Sequence, residues 1–292
     1  MKITITQPLA IHELGDRQNQ EDSVYPEQSA VTTDDKLFMV CDGMGGHEHG
    51  EVASQLVCGT LPQYLKENWT GGILPDNLLH DAIDEVFRQI NKYDDGSLRQ
   101  MGTTLTLLCL HQGGATMAHI GDSRIYHIRP SEHRILYKSR DHSLVYDLFI
   151  AGEITQEEMG SYAKKNIITR AIMPGMDRQP RLDIAHSTDL LPGDYFLLCS
   201  DGMLEQMTDK QLTELLAARQ TKDTLRQNLI DATRDNYDNH SAWLIEIKSA
   251  DQEEYDEKLQ HNENTVRCNA ILLEQQKQEK QSLWQRIKNA IV

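Results

Sequence analysis

Two segments of this 292-residue chain share one construction, a short apolar run that ends in Asp-Gly. The first reads LFMVCDGM over residues 37–44, and the second reads YFLLCSDGM over residues 195–203. An apolar run of this length, bounded by a turn signal, is typical of a buried strand. The pattern therefore predicts two buried strands that each deliver an aspartate, Asp42 or Asp201, at their end.

Two further aspartates stand beside apolar runs in the same way. Asp122 follows the run Ala115–Ile120, and Asp238 precedes the run Ala242–Lys248. Asp-Gly is also a common turn sequence, so a single instance would indicate only a turn. Four carboxylates at strand ends indicate one cluster instead, and like charges gathered there repel unless cations neutralise them. Oxygen ligands without His or Cys spacing favour Mg²⁺ or Mn²⁺ over Zn²⁺.

Composition narrows the classes of function. The formal net charge of −16 repels nucleic acid and anionic lipid, so we expect no nucleic-acid partner. The start of the chain lacks a signal-peptide pattern, and no apolar run approaches the roughly 20 residues of a membrane-spanning helix. The five cysteines lack CxxC spacing and are predicted to be reduced, with Cys41 and Cys199 in the core rather than acting as nucleophiles. These features predict a cytoplasmic protein without a transmembrane segment.

Apolar periodicity predicts that strands and helices alternate along one domain. The predicted strands are Lys36–Cys41, Thr103–His111, Ala115–Ile120, Arg124–Arg129, Tyr195–Cys199 and Ala242–Lys248. The predicted helices are Gly50–Asn68, Pro75–Tyr93, Leu144–Ala151, Asp209–Ala217 and Lys222–Asn236.

The composition changes after Lys248, where an acidic stretch precedes a segment rich in Gln, Lys and Glu. We therefore predict a catalytic domain over residues 1–248 and an acidic linker with a helical tail over residues 249–292. An apolar stripe recurs at helical intervals near the end of the tail, at Leu283, Trp284, Ile287 and Ile291. Such a stripe can dock on the domain, bind a partner groove or lie on a membrane surface, and the first two are favoured.

Six short motifs occur in an order that resembles the metal-dependent protein phosphatase family (PPM, or type 2C), and especially its bacterial Ser/Thr branch. They are RQNQED (17–22), DGMGGH (42–47), GTT (102–104), GDSR (121–124), SDG (200–202) and DN (238–239). The resemblance covers roughly residues 10–248. It implies an α+β fold, a four-layer α-β-β-α sandwich of two antiparallel sheets flanked by helices, with a dimetal site at one end of the sheets.

The resemblance also implies roles for individual residues. Asp42 would bridge two Mn²⁺ or Mg²⁺ ions, with the Gly43 carbonyl on one ion and Asp201 and Asp238 on the other. Glu21 and Asp22 would hold metal-bound waters, and Arg17 would grip the substrate phosphate, for which the guanidinium fork is suited. The resemblance extends to a third metal site formed by Asp122 with Asp201 and Glu205.

The implied activity is hydrolysis of phosphoserine and phosphothreonine in proteins by a metal-activated water, opposing a bacterial Ser/Thr kinase. His47 and His49 follow the second motif, and we expect them to pack or cap a helix rather than to bind metal. Two other functions use similar residues. Another metallohydrolase, such as a phosphodiesterase or nuclease, would share the carboxylates, but the chain lacks a basic groove. A binding module on the same fold would have lost metal ligands, and none of the expected ones is missing.

Overall fold

The apolar runs of the sequence form thirteen strands in the part of the chain that the computed structural model describes, which is residues 1–45, 50–93, 101–162, 164, 166–176 and 179–251. The strands are β1 (Lys2–Ile5), β2 (Leu9–Glu13), β3 (Ser23–Tyr25), β4 (Leu37–Cys41), β5 (Gly43–Met44), β6 (Gly102–Thr103), β7 (Leu105–His111), β8 (Gly114–Ile120), β9 (Arg124–Arg129), β10 (Arg134–Lys138), β11 (Asp183–Ser187), β12 (Tyr195–Cys199) and β13 (His240–Asp251).

Two antiparallel sheets contain eleven of these strands. The first has the order β1-β13-β12-β9-β10, and β2 also pairs with the long strand β13. The second has the order β11-β8-β7-β4-β3, while β5 and β6 form a small separate ladder. In the first sheet, Leu198 of β12 lies opposite Trp243 of β13 and Ile125 of β9. Strand β12 is therefore central, and both of its ends are surrounded by neighbouring strands.

Side chains alternate between two apolar layers along the central strands, as the period of a β-strand requires. In β4, Phe38 and Val40 join the core between the two sheets, whereas Met39 and Cys41 face a helical layer. In β12, Phe196 and Leu198 face the same inner core, and the alternate residues face the other helical layer. The strands are buried on both faces, which explains why their sequences are continuously apolar.

Helices cover the outer face of each sheet. The helices α1 (Gly50–Asn68) and α2 (Asp76–Ile90) pack on the second sheet, and α5 (Asp209–Ala217) and α6 (Lys222–Thr233) pack on the first. Helix α5 begins with a capping box, in which the Thr208 side chain accepts from the Gln211 backbone and the Gln211 side chain accepts in return. The predicted four-layer α-β-β-α sandwich is confirmed.

Residues 142–169 form a second compact unit, which we describe by itself. It contains α3 (Leu144–Ala151), which Ser143 caps through its side chain, and the short α4 (Gln156–Met159), which starts with a Thr155 capping box. Gly152 ends α3 with a left-handed φ of 78°. An antiparallel bridge between Ser143 and Ile168 ties the start of the unit to its end.

The predicted strands and helices are present, with small differences at their ends. Thr104 interrupts the strand that was predicted over residues 103–111, because its side chain and backbone bond to the neighbouring strand end. The last strand continues to Asp251, where it pairs with Lys2. Short strands that the pattern missed are β1, β2, β3, β5, β10 and β11. Cys41, Cys109 and Cys199 are buried free thiols and Cys58 is half-buried and free. The first three residues of the predicted tail, 249–251, belong to β13. The rest of the predicted tail, with Cys268, lies outside the described residues, as do His47 and His49.

Candidate active site

Asp42 stands between β4 and β5, where hydroxyl groups fix its backbone on both sides. Its N–H donates to Thr104 Oγ1 at 2.9 Å. Its carbonyl accepts from the Thr103 hydroxyl at 2.9 Å and from the Thr104 N–H at 2.9 Å. These bonds fix the main chain of Asp42 without using its carboxylate, so the position of the residue is set before any ligand binds.

Gly43 allows three chain segments to meet beside Asp42. A Cβ atom here would lie 2.3 Å from the Gly50 carbonyl oxygen and 2.4 Å from the Glu21 carbonyl oxygen, which no side chain tolerates. The Gly43 N–H donates to that Glu21 carbonyl at 3.1 Å. The absence of a side chain therefore brings the segment that carries Glu21 against the segment that carries Asp42.

Asp201 follows β12 at the start of a short 3₁₀ turn, Asp201–Leu204. A Cβ on Gly202 would lie 2.1 Å from the Asn239 carbonyl oxygen, and the Asn236 side chain donates to the Gly202 carbonyl at 2.7 Å. This close approach carries Asp238 to the side of Asp201. The two aspartates are separated by 37 positions in sequence but lie at adjacent ends of the paired strands β12 and β13.

Asp22 and Asp122 complete the cluster from buried positions. Asp22 is 4% exposed and its Oδ2 accepts from the Ser200 hydroxyl at 2.9 Å. Asp122, in the turn between β8 and β9, is 9% exposed. One oxygen of each, Oδ1 in both cases, is buried and finds no hydrogen-bond partner among the described residues. A buried carboxylate oxygen without a donor is costly, and a bound cation or its water would satisfy it.

The carboxylates raise one another's pKa. Burial, and then the charges of Asp22, Asp201, Asp122 and Asp238, raise the pKa of Asp42 well above its usual range. Burial raises the pKa of Asp22 to about 7, and the nearby charges of Asp201 and Asp238 contribute.

The same effect extends to Asp122 and Asp201. Burial, followed by the charge of Asp201, raises the pKa of Asp122 to about 7. Solvent reaches Asp201, yet the packed protein around it desolvates the carboxylate and raises its pKa, with Asp238 adding to the shift. Repulsion of this kind is relieved by a proton or by a bound cation.

Arg17 lies at the solvent side of this cluster. Its Nη2 pairs with Asp238 Oδ2 at 2.6 Å, and the Arg17 side chain keeps 44% of its surface exposed. Glu21, half-buried, has a pKa raised by burial, and its N–H donates to Asn239 Oδ1 at 2.8 Å. The structure therefore brings Arg17, Glu21 and Asp238 together.

Glu205 lies near the cluster, but its carboxylate bonds to a backbone N–H outside it. Its charge acts on Asp201, but its Oε2 accepts from the Tyr237 N–H at 2.7 Å. Asp122 is coupled to Asp201 by charge. Sequence reasoning missed the supporting roles of Thr103, Thr104, Ser200 and Asn239, which all occur inside the motifs quoted above. For Ser200 and Asn239 the available signal was their position directly beside an aspartate, whereas Thr103 and Thr104 stand in a motif that contains none.

The donor set fits a hard divalent cation. Its groups are carboxylate and carbonyl oxygens, which Mg²⁺ and Mn²⁺ prefer. No lysine or arginine of the described ranges forms an ion pair with Asp22, Asp42, Asp122 or Asp201, and Arg17 pairs only with Asp238 at the edge. Two cations would compensate the negative charge that the protein itself leaves unpaired.

Comparison with known proteins finds one family throughout. The family model described as "Protein phosphatase 2C" matches residues 12–247. A relative described as "Putative protein phosphatase 2C-type", from Streptococcus pyogenes, is 32% identical over 245 residues, which are 81% of this chain and 95% of the relative. The "Serine/threonine phosphatase stp" of Listeria monocytogenes is 34% identical over 194 residues, 63% of this chain and 73% of that protein.

Solved structures match the fold as well. The catalytic domain of the serine/threonine protein phosphatase PstP, in complex with two manganese ions, superposes with a TM-score of 0.69 at 31% identity. The match covers 85% of this chain and 100% of the PstP domain. The structure of the Staphylococcus aureus serine/threonine phosphatase Stp1 gives a TM-score of 0.67 at 27% identity, over 84% of this chain and 95% of that one.

Proposed function

The chain belongs to the protein phosphatase 2C family, and on that premise we propose how individual residues contribute to serine/threonine phosphatase activity. It is a metal-dependent enzyme of this class that uses Mn²⁺ or Mg²⁺. Bound cations supply a water of lowered pKa and neutralise charge on the phosphate. The remaining steps belong to side chains of the chain itself.

In this proposal Asp42, the Gly43 carbonyl, Asp201 and Asp238 would hold the two cations. The observation that carries this assignment is the cluster of four mutually repelling aspartates, Asp22, Asp42, Asp122 and Asp201. None of the four forms an ion pair with a lysine or arginine of the described ranges. The hydroxyl and backbone bonds around Asp42 pre-organise it, so little reordering accompanies cation binding.

Three further side chains serve the substrate and its water. Arg17 binds the phosphate, since its guanidinium is exposed at the edge of the cluster and can present two N–H groups to phosphate oxygens. Glu21 and Asp22 hold waters of the cations. The unpartnered Oδ1 of Asp22 supports this role for Asp22. The half-buried position of Glu21 beside Gly43 supports it for Glu21.

One experiment separates this function from its alternatives. The Mn²⁺-loaded enzyme should hydrolyse a phosphothreonine peptide, lose that activity in excess chelator, and leave a phosphate bis-ester intact. Asp42→Asn should lose nearly all activity while it remains folded, and Asp223→Asn, an exposed change on α6, should not. Full activity of folded Asp42→Asn would overturn the metal-ligand assignment. Faster turnover of the bis-ester would indicate a phosphodiesterase, and peptide binding without turnover would indicate a binding module.

A third cation site formed by Asp122, Asp201 and Glu205 is also proposed. It rests on the unpartnered Oδ1 of Asp122 and on the charge coupling of Asp201 to both other residues. Calorimetric Mn²⁺ titration of Asp122→Ala should show that the weakest binding event is lost and the two tighter ones remain. Loss of all binding would place Asp122 among the ligands of the first two cations.

The substrates are phosphoproteins, and we propose that they are products of a cognate Ser/Thr kinase in the cytoplasm. None of the described helices is both long and apolar enough to cross a membrane. Phosphoproteomics of cells that lack this chain should reveal excess phosphoserine and phosphothreonine on cytoplasmic proteins. An unchanged cytoplasmic phosphoproteome would contradict the proposal.

The division at about residue 248 is likewise a proposal, with the tail needed for targeting rather than chemistry. The last described strand continues to Asp251, so the chain should be shortened after that residue. The shortened protein should keep kcat on a small phosphoester within a few-fold and lose either thermal stability or its location in the cell. A folded but inactive product would show that the tail belongs to the active site.

A further inference from the structure

Tyr237 stands directly before Asp238 and belongs to none of the six motifs. Tyr237 is 61% exposed, although it lies beside the acidic cluster. A single exposed aromatic residue is unremarkable in a soluble protein. This one differs because the Arg17 guanidinium carbon lies 5.4 Å from the centre of its ring, within the range of a cation–π contact.

Hydrogen bonds hold the backbone of Tyr237 at its N–H and at its carbonyl, which limits where its ring can lie. Its N–H donates to Glu205 Oε2 at 2.7 Å, and its carbonyl accepts from the Asp16 N–H at 2.9 Å. Gly15 makes this approach possible, since it has a left-handed φ of 62° and a Cβ there would lie 2.9 Å from the Tyr237 carbonyl oxygen. Arg17 follows Gly15 by two residues, so the same close approach delivers the guanidinium to the ring.

The other partner of Arg17 is Asp238, which is also one of the proposed cation ligands. Both oxygens of Asp238 already accept hydrogen bonds, Oδ1 from the Asn239 N–H at 2.8 Å and Oδ2 from Arg17 at 2.6 Å. A cation held by Asp238 would neutralise the carboxylate and so weaken its ion pair with Arg17. The contact with the Tyr237 ring uses no atom of Asp238, so it can persist when the ion pair opens. An arginine freed of both contacts would regain rotamer entropy, which it must lose again to bind phosphate.

We propose that Tyr237 is a positioning residue, whose ring keeps the Arg17 guanidinium at the mouth of the cluster when Asp238 is committed to a cation. The proposal rests on the proposed function, in which Asp238 binds a cation and Arg17 binds the substrate phosphate. Tyr237 acts through Arg17 and does not touch the reacting atoms.

Two substitutions of Tyr237 test the role of the ring. Tyr237→Leu removes the π face and keeps an apolar side chain, while Tyr237→Phe keeps the face and removes the hydroxyl. Binding of inorganic phosphate to the Mn²⁺-loaded full chain is measured by calorimetry. Tyr237→Leu should weaken it about two- to fivefold, the change typical of one exposed cation–π contact, and Tyr237→Phe should restore it. Calorimetry should also give unchanged Mn²⁺ affinity in both variants. Tyr93→Leu, at another exposed tyrosine, is the matched control.

A double-mutant cycle with Arg17→Ala identifies the path of the effect. When Arg17 is absent, Tyr237→Leu should cause no further loss of phosphate affinity or of kcat/KM on a phosphothreonine peptide. The proposal is overturned if Tyr237→Leu binds phosphate as the unaltered enzyme does, or if its loss is the same with and without Arg17. An unaltered enzyme that fails to hydrolyse the peptide with Mn²⁺ would instead overturn the proposed function, so the two failures are distinguishable.

Discussion

Strand β12 has an aspartate near each end, and the two are surrounded in opposite ways. Asp194, directly before the strand, is fully buried and accepts from Arg129 at 2.9 Å through both oxygens, from His127 at 3.1 Å and from the Leu191 N–H at 2.9 Å. Asp201, two residues after the strand, is reached by solvent and is surrounded by other carboxylates.

The pKa values follow this difference. Burial alone would raise the pKa of Asp194, but the hydrogen bonds from Arg129 and His127 outweigh it and hold that pKa below its usual range. At the other end the pKa of Asp201 is raised, because desolvation and the charge of Asp238 act in the same direction. A buried charge with complete partners is costly to separate from them, whereas a group of charges without partners marks a candidate place for a ligand.

The largest expected effect is a loss of stability on substitution of Asp194, the aspartate that is paired with Arg129. Asp194→Asn leaves the Arg129 guanidinium, 7% exposed, without its main partner. Breaking a buried ion pair costs about 3–5 kcal/mol, and we expect about 3 because Asp189 still contacts Arg129. Urea unfolding in chelator measures the loss. Asp189→Asn is the control, since that carboxylate is 72% exposed and its loss should cost at most about 1 kcal/mol. Equal losses in the two variants would contradict the comparison.

The second largest effect is expected at Asp201, after the end of β12, and it is a loss of activity. Asp201→Asn should lower kcat/KM on a phosphothreonine peptide by about 100-fold or more, since even residues that only support metal ligands cost about 10–100-fold. This equals about 2.7 kcal/mol of transition-state stabilisation. The same variant should be no less stable than the unaltered protein in chelator, because it removes a repelling charge. A large loss of stability in chelator would mean that Asp201 is structural, like Asp194.

The motifs made the Asp201 end predictable, because each carboxylate stands beside its strand and its turn residue in a short continuous segment. The Asp194 end could not be predicted in the same way. Arg129 and His127 come from β9, more than 60 positions earlier, and in sequence they resemble the polar face of an alternating strand. Tyr237 was missed for a similar reason, since its contact with Arg17 depends on how two distant loops meet.

The edge strands show a further limit of pattern reading. Strand β11, DIAHS, mixes polar and apolar residues because it pairs on only one side and remains partly exposed. Because β4 and β12 are buried on both faces, their sequences are continuous apolar runs that predict a strand clearly. A strand with a solvent-exposed face or edge has a mixed sequence that predicts it poorly.

A third effect concerns pH and the Asp194 end alone. Because the pKa of Asp194 is lowered in the folded protein, its contribution is complete above the unfolded value of about 3.9 and is lost as the pH falls towards the folded value. The stability gap between the unaltered protein and Asp194→Asn should therefore narrow as the pH falls below about 4. Urea unfolding at each pH gives the gap, in which the titration of groups that do not contact Asp194 largely cancels. A gap that widens below about pH 4 would contradict the sign.

The smallest effect is expected from a pair of serines, one near each aspartate. Ser200, fully buried, donates to Asp22 at 2.9 Å and accepts from the Ser241 N–H at 2.9 Å, whereas Ser187 makes a longer contact of 3.3 Å with His127. Ser200→Ala leaves a buried N–H without its acceptor and Asp22 without a donor, which should cost about 1–3 kcal/mol in chelator. It should also lower kcat on the peptide by less than about tenfold, because the support of Asp22 is weakened and the ligands remain. Ser187→Ala should cost under about 1 kcal/mol and leave kcat unchanged. If both serines changed stability alone and neither changed kcat, the hydroxyl beside Asp22 would serve the fold and not the site.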